Sequence, residues 1–282
     1  MSIKNILYFI RNEFIYGGHL FALSSVSIVL MSSILLDVLV TFDFLIIVYL
    51  IFYAIYLNDH FDNVKVDFIV NSQRATYLRR NKKSPWLVLI AVFISEFLLF
   101  YLGDLLSLGF GSIIIIFGLL YSKYLKILTK KIVAFKNYFV ALVWSLLVLF
   151  FFVYYSYSFT FEAILISLFI FLRILAIQIL LDIRDIESDK IENLLTIPVL
   201  FGKRKSIKII VYINILVFFL LFYGVYFNVI ILNALLLFFM FPYSYYYLNK
   251  LNHVESNNIY YFLAVIEPII FLFLVLIGSF LL

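Results

Sequence analysis

The sequence predicts an all-α membrane protein, a polytopic bundle of about nine transmembrane helices. Hydrophobic residues make up 66% of the 282 residues and charged residues only 13%. Soluble domains are roughly half apolar and about one quarter charged. The surplus of apolar side chains must therefore face lipid. At about 20 residues per crossing, a chain of this length supplies roughly nine or ten spans with short connections.

The second observation that predicts a membrane bundle is a series of apolar runs, each long enough to span a membrane. Each is separated from the next by a short polar junction or by a longer charged loop. The predicted spans cover residues 14–36, 40–57, 86–103, 105–122, 138–157, 159–181, 207–227, 229–248 and 259–282. We treat the whole chain, residues 1–282, as one transmembrane domain whose functional loops cover about 58–84 and 182–206.

The distribution of basic residues predicts the orientation of these spans. All but one of the 21 lysines and arginines precede span one or lie in the loops after spans two, four, six and eight, with Lys208 at the very start of span seven; the exception is Arg173, in the middle of span six. The positive-inside rule then places the N-terminus and the long loops in the cytoplasm, and we expect the plasma membrane as the location. Because the basic residues lie in loops between apolar runs, the net charge of +5 indicates contact with membrane lipids and no nucleic-acid partner.

Two acid-rich segments follow spans two and six, both on the predicted cytoplasmic side. The first contains Asn58, Asp59, Asp62 and Asp67, and the second contains Asp182, Asp185 and Asp189. On a continuous helix, the three carboxylates of the second segment lie within an arc of about 60°.

Carboxylates on one helix face repel each other unless a cation lies between them. Oxygen ligands without cysteine suit Mg²⁺, which commonly bridges carboxylates to phosphate groups. Solvated helix ends at the membrane interface are the simpler interpretation of a single aspartate. Two such clusters on one side favour a site that binds a diphosphate through Mg²⁺.

These segments resemble the active-site motifs of the UbiA superfamily of intramembrane prenyltransferases. Asn58, Asp59 and Asp62 match the motif after the second helix of that family, and Asp185 with Asp189 match the motif after the sixth. The loop after span four and the segment 196–203 are also similar to the family. The third carboxylate of the first motif is displaced by one residue to Asp67, and alanine follows Arg74 where the family commonly has proline.

The resemblance implies a Mg²⁺-dependent prenyltransferase with a nine-helix UbiA-type fold. Its substrates would be a polyprenyl diphosphate and an aromatic or lipid acceptor in the membrane. The implied metal ligands are Asp59, Asp62, Asp67, Asp182, Asp185 and Asp189. The implied diphosphate-binding residues are Asn58, Arg74, Lys126, Lys136 and Asn137, and the implied catalytic residues are Arg74, Lys126 and Tyr121.

Several polar residues lie inside the predicted spans, where each is costly unless it is paired or faces a cavity. Arg173 either reaches toward an acceptor pocket or pairs with Glu267 or Glu96, and we favour the pair. His19 either contacts an acceptor or is a hydrogen-bonded packing histidine, and we favour packing. Pro242 and Pro268 predict kinks in spans eight and nine.

Two other functions are compatible with the sequence. A polytopic transporter with acidic cation sites would normally carry them near the bilayer midplane, whereas these clusters lie at one membrane face. A catalytically silent relative that serves as a membrane scaffold is suggested by the displaced Asp67.

Overall fold

The computed structural model describes residues 11–62, 76–78, 85–253 and 258–281. Throughout that part of the chain the regular secondary structure is helical, and no strand occurs in it. The predicted all-α membrane bundle is therefore confirmed.

The described helices follow the predicted apolar runs. Their bounds are α1 His19–Leu35, α2 Phe42–Asp62, α3 Pro85–Leu102, α4 Leu105–Leu120, α5 Phe135–Tyr154, α6 Phe161–Arg184, α7 Ile186–Ile191, α8 Ile197–Tyr226, α9 Met240–His253, α10 Asn258–Val265 and α11 Glu267–Leu281. Between these helices lie a π-helical turn, Tyr121–Leu125, and two 3₁₀ helices, Lys126–Lys130 and Leu232–Phe239, and residues 11–16 and 76–78 are also helical.

Six helical segments in the described chain are long and apolar enough to cross a membrane, and a bent pair formed by α10 and α11 makes a seventh. The first predicted span is the shorter helix α1, of 17 residues. The eighth is divided between the 3₁₀ helix Leu232–Phe239 and α9. The predicted number of nine is thus approximate, because two of the predicted spans are short or irregular.

The chain folds into two compact units, residues 1–26 with 41–125, and residues 27–40 with 126–282. In the first unit, α2 packs against α3 and α4. Ala54 and Leu57 of α2 form a buried cluster with Val88 and Ala91 of α3. A side-chain carbon at Gly118 of α4 would overlap the side chain of Ile55, so the glycine permits close approach of α4 to α2.

In the second unit, α6 packs against α5 and α8 and carries a buried ionic contact. Arg173 of α6 donates to Glu267 of α11 at 2.5 Å and also to Asn214 of α8. Tyr247 of α9 donates to the other carboxylate oxygen of Glu267 at 2.6 Å. The predicted pairing of Arg173 with Glu267 is confirmed, and it joins four helices of this unit.

The last span is bent by 53° between α10 and α11. Pro268 is the second residue of α11, directly after the break. Proline cannot donate the backbone hydrogen bond that a continuous helix would need at this point. The kink predicted in span nine is confirmed at this position.

Candidate functional site

The first acidic cluster lies on the last turn of α2, in the first unit. The helix continues five residues beyond the predicted span, through Asn58, Asp59 and Asp62. Asn58 Nδ2 donates to Asp62 Oδ2 at 3.2 Å, one turn further on, and to the backbone oxygen of Leu119 in α4 at 3.3 Å. These bonds hold Asn58 between two helices and orient the Asp62 carboxylate.

Residues of the π-helical turn after α4 complete the environment of Asp62. The hydroxyl of Ser122 donates to Asp62 Oδ2. Lys123 Nζ lies 3.3 Å from Asp62 Oδ1, but its side chain is 61% exposed, whereas that of Asp62 is 16% exposed. Tyr121 is the first residue of the same turn. Asp62 is therefore a shielded carboxylate whose lysine partner is in solvent.

The second acidic cluster lies at the end of α6 and in the short helix α7, in the second unit. The predicted continuous helix is interrupted here, since α6 ends at Arg184 and α7 begins at Ile186. Asp182 and Asp189 nevertheless converge on one cation. Lys136 Nζ of α5 lies 2.8 Å from Asp182 Oδ1 and 3.0 Å from Asp189 Oδ2.

Burial distinguishes this arrangement from an ordinary surface ion pair. The Lys136 side chain is 12% exposed, and those of Asp182 and Asp189 are 4% and 5% exposed. Burial raises the pKa of the Asp189 carboxyl, and the Lys136 ammonium opposes that rise. Two buried carboxylates around one ammonium leave an excess of negative charge.

Asn137, the residue after Lys136, is fully buried beside this cluster. Its Nδ2 donates to Asp182 Oδ2 at 2.7 Å. Its Oδ1 accepts no hydrogen bond from the described residues. A buried amide oxygen beside two carboxylates is the kind of oxygen ligand that Mg²⁺ takes, so the donor set fits this ion. In the described part of the chain, however, no group of three or more His, Cys, Asp or Glu side chains is placed to hold a metal ion.

Asp185 occupies the break between α6 and α7. Its carboxylate accepts two hydrogen bonds from the neighbouring Arg184, from Nε at 2.7 Å and from Nη2 at 2.9 Å. The Arg184 guanidinium also lies over the ring of Tyr261, 5.9 Å from its centroid. Asp185 thus has a cationic partner from its own turn.

The remaining predicted residues fall into two groups. Lys126 begins the 3₁₀ helix after the π-helical turn, and its Nζ lies 2.8 Å from Glu192 Oε2. Arg74 and Asp67 lie outside the described residues.

Four residues that were not predicted to belong to the site contact the predicted site residues. They are Ser122, Lys123, Arg184 and Glu192. Arg184 adjoins Asp185, so its proximity was available from the sequence. The pairing of Lys126 with Glu192 joins residues 66 positions apart and has no local sequence signal.

The fold and the two clusters identify the class of protein. It is an integral membrane protein in which two spanning helices end in acid-rich turns, and lysine or arginine side chains neutralise the carboxylates there. The chain belongs to the UbiA prenyltransferase family, whose family model matches residues 20–266. No functionally curated protein matches it in sequence.

Solved structures share this fold at low sequence identity. A UbiA homologue from Aeropyrum pernix K1 has a TM-score of 0.68 at 14% identity, over 93% of this chain and 98% of that one. A UbiA homologue from Archaeoglobus fulgidus, bound to DMAPP and Mg²⁺, has a TM-score of 0.66 at 15% identity, over 94% and 96%. A structure from work on digeranylgeranylglyceryl phosphate synthase in membranes has a TM-score of 0.60 at 17% identity, over 95% of each chain.

Proposed function

We propose that this protein transfers a prenyl group from a polyprenyl diphosphate to an aromatic or lipid acceptor in the membrane, in a Mg²⁺-dependent reaction. The observation that carries the proposal is the convergence of Asp182 and Asp189 on one cation in a member of the UbiA family. A structural neighbour that binds DMAPP and Mg²⁺ supports the same ligand class.

The carboxylates proposed to hold Mg²⁺ are Asp59, Asp62, Asp67, Asp182, Asp185 and Asp189. When bound, the ion would neutralise the negative charge of the diphosphate and so make it a better leaving group. Asp62 is already oriented for this role by Asn58 and Ser122. Asn137 Oδ1 adds a neutral oxygen beside the second cluster.

The cationic residues have a separate part in the proposal. Lys126, Lys136 and Arg74 would bind phosphate oxygens, and Tyr121 would donate a hydrogen bond to them. Lys126 must then exchange Glu192 for the diphosphate, which keeps its charge balanced in both states. Lys136 would keep its contacts with Asp182 and Asp189 and place its positive charge beside the diphosphate.

Exclusion of water is the remaining requirement, because an allylic cation reacts with water as readily as with an acceptor. The apolar helix faces provide it, and aromatic side chains stabilise a nearby cation by about 0.5–2 kcal/mol. Ionisable loops at one predicted membrane face and an apolar interior suit a substrate with a charged head and a hydrocarbon tail.

Diphosphate release tests the proposal. Membranes containing the protein are incubated with labelled farnesyl or geranylgeranyl diphosphate, Mg²⁺ and a panel of aromatic and lipid acceptors. We expect release that EDTA abolishes, and a reduction of about 10²–10³-fold in Asp62→Ala and Asp185→Ala. Asp43→Ala and Glu162→Ala, at the opposite ends of the same helices α2 and α6, are the matched controls.

The same assay separates the alternatives. Absence of release with every acceptor would favour a cation transporter or a silent scaffold over an enzyme. Release that is unchanged in Asp62→Ala and Asp185→Ala would contradict the assignment of the site while leaving the activity intact.

A further inference from the structure

A second polar cluster lies in the first unit, where the chain enters α1. His19 Nδ1 and the hydroxyl of Tyr49 are 2.5 Å apart, and His19 Nε2 lies 3.2 Å from Glu13 Oε1. The hydroxyl of Tyr77 donates to the other oxygen of Glu13. The side chains thus form one hydrogen-bonded chain, Tyr77–Glu13–His19–Tyr49, which the diphosphate site proposed above does not use.

The backbone at Gly17 and Gly18 places His19 in this cluster. Gly18 has a φ of +89°, in the left-handed region that favours glycine, and a side-chain carbon there would lie 3.4 Å from the backbone nitrogen of Leu57. The chain therefore passes close to α2 and turns there, before α1 begins at His19. The turn brings Glu13 back to the histidine six residues later.

The polar cluster around His19 contacts the middle of α2, whereas the first acidic cluster lies at the C-terminal end of that helix. Near the helix end, His60 Nδ1 donates to the backbone oxygen of Tyr16 at 2.9 Å. His19 instead stacks on Tyr53, with ring centroids 4.7 Å apart, and bonds to Tyr49. Tyr49 precedes Asn58 by nine residues, which is about 13 Å along a helix. An acceptor beside Tyr49 would thus lie between the diphosphate end of α2 and the apolar interior.

Partial exposure distinguishes this cluster from core packing. The side chains of His19 and Glu13 are 27% and 21% exposed, whereas the buried Arg173 and Glu267 are 1% and 0% exposed. Ionisable groups in a membrane-spanning region are costly unless they are paired or face a cavity, and His19 is paired with Glu13. A partly open imidazole held on both nitrogens is suited to receiving and passing on a proton.

The hydrogen bonds define a direction for that proton. With Glu13 ionised, His19 donates from Nε2 to the carboxylate and accepts at Nδ1 from the Tyr49 hydroxyl. The Tyr49 oxygen retains a lone pair that can accept a further hydrogen bond. Glu13 then stabilises the imidazolium that forms when His19 takes a proton.

We propose that Tyr49 is the catalytic residue that takes the proton of the acceptor hydroxyl, with His19 and Glu13 as positioning residues behind it. This inference rests on the proposed prenyl transfer. The acceptor oxygen forms a bond to the allylic carbon, and the carbon–oxygen bond of the diphosphate breaks with its electron pair leaving on the diphosphate. The acceptor proton passes to Tyr49, whose own proton passes to His19 Nδ1.

Binding of a phenol probe tests the site without turnover. The probe is 4-nitrophenol, whose absorption band shifts on loss of its proton, added to purified protein with Mg²⁺ and farnesyl thiodiphosphate, an analogue that ionises slowly. We expect at least tenfold weaker binding by Tyr49→Phe than by wild type. Tyr101→Phe, which removes a hydroxyl from the exposed side of α3, should bind as wild type does. Equal binding by Tyr49→Phe and Tyr101→Phe would overturn the proposal, whether or not the protein turns over.

The rate of prenyl transfer distinguishes a catalytic role of Tyr49 and His19 from a purely structural one. Tyr49→Phe should lower prenyl transfer by about 10²–10⁴-fold, the usual contribution of general acid–base catalysis. His19→Ala should be similarly slow and should regain activity when imidazole is added. Farnesyl thiodiphosphate binding should stay unchanged in both variants. Absence of imidazole rescue together with full activity of Tyr49→Phe would contradict the relay.

The pH–rate profile reports on the relay as a whole. The groups that face His19 are Glu13, Tyr49 and Tyr53, with Tyr77 on Glu13. Glu13→Gln removes the charge that stabilises the imidazolium, so the acid limb of the profile should move to lower pH and the maximum should fall. An unshifted acid limb would contradict the relay. If the wild type shows no Mg²⁺-dependent binding of farnesyl thiodiphosphate, the proposed function itself is refuted.

Discussion

The two acidic clusters differ in how the chain neutralises them. In the first, Asp62 has a lysine partner, Lys123, that is mostly in solvent. In the second, Asp182 and Asp189 share Lys136, and all three side chains are nearly buried. A buried ion pair has lost its hydration and depends on its partner, whereas an exposed pair contributes little. The second cluster is therefore neutralised within the protein, whereas Asp62 is positioned by Asn58 and Ser122 but has only a solvent-exposed lysine to balance its charge.

The largest expected effect comes from removing the buried cation. Lys136→Met leaves Asp182 and Asp189 buried without their ammonium, and breaking such a pair typically costs about 3–5 kcal/mol. Thermal unfolding in detergent micelles should show this loss, and added Mg²⁺ should recover part of it. Lys136→Arg, which keeps the charge, is the control. A Lys136→Met protein as stable as wild type would show that the cluster is not organised by this lysine.

A smaller effect is expected at the neighbouring amide. Asn137→Leu removes the donor to Asp182 Oδ2 while filling a similar volume. A buried acceptor without its partner costs about 1–3 kcal/mol. The free energy of unfolding should fall by that amount. If instead the variant is stabilised, Asp182 does not depend on this hydrogen bond.

The smallest effect is expected at the exposed lysine of the first cluster. Lys123→Met should change the free energy of unfolding by about 0–1 kcal/mol, because the ion pair is screened by solvent. The comparison with Lys136→Met is matched, since both substitutions remove a lysine beside an aspartate. Equal losses in the two variants would remove the distinction between the clusters.

Hydrophobicity and local motifs predicted much of this molecule. The apolar runs anticipated the long helices, since burial in lipid requires an internally hydrogen-bonded segment. The sequence did not reveal that α2 continues through Asp62, or that α6 breaks at Asp185. Both depend on tertiary contacts, such as the bond of Asn58 to Leu119.

The sequence predicted which residues belong to the site, but not which residues each of them contacts. Lys136 was expected to bind diphosphate, and the structure pairs it with carboxylates 46 and 53 residues away. Pairing of this kind depends on helix packing, for which the sequence has no local pattern. The contact of Tyr49 with His19 likewise follows from the turn at Gly18.

Equilibrium binding of farnesyl thiodiphosphate to the purified protein, measured calorimetrically with Mg²⁺ and again with EDTA, tests the central claim most directly. Wild type and Asp43→Asn should bind only with Mg²⁺, and Asp62→Asn should bind at least tenfold more weakly. Binding that is equally strong in EDTA, or that is the same for Asp62→Asn and Asp43→Asn, would contradict the proposed binding of Mg²⁺ and diphosphate at the first cluster.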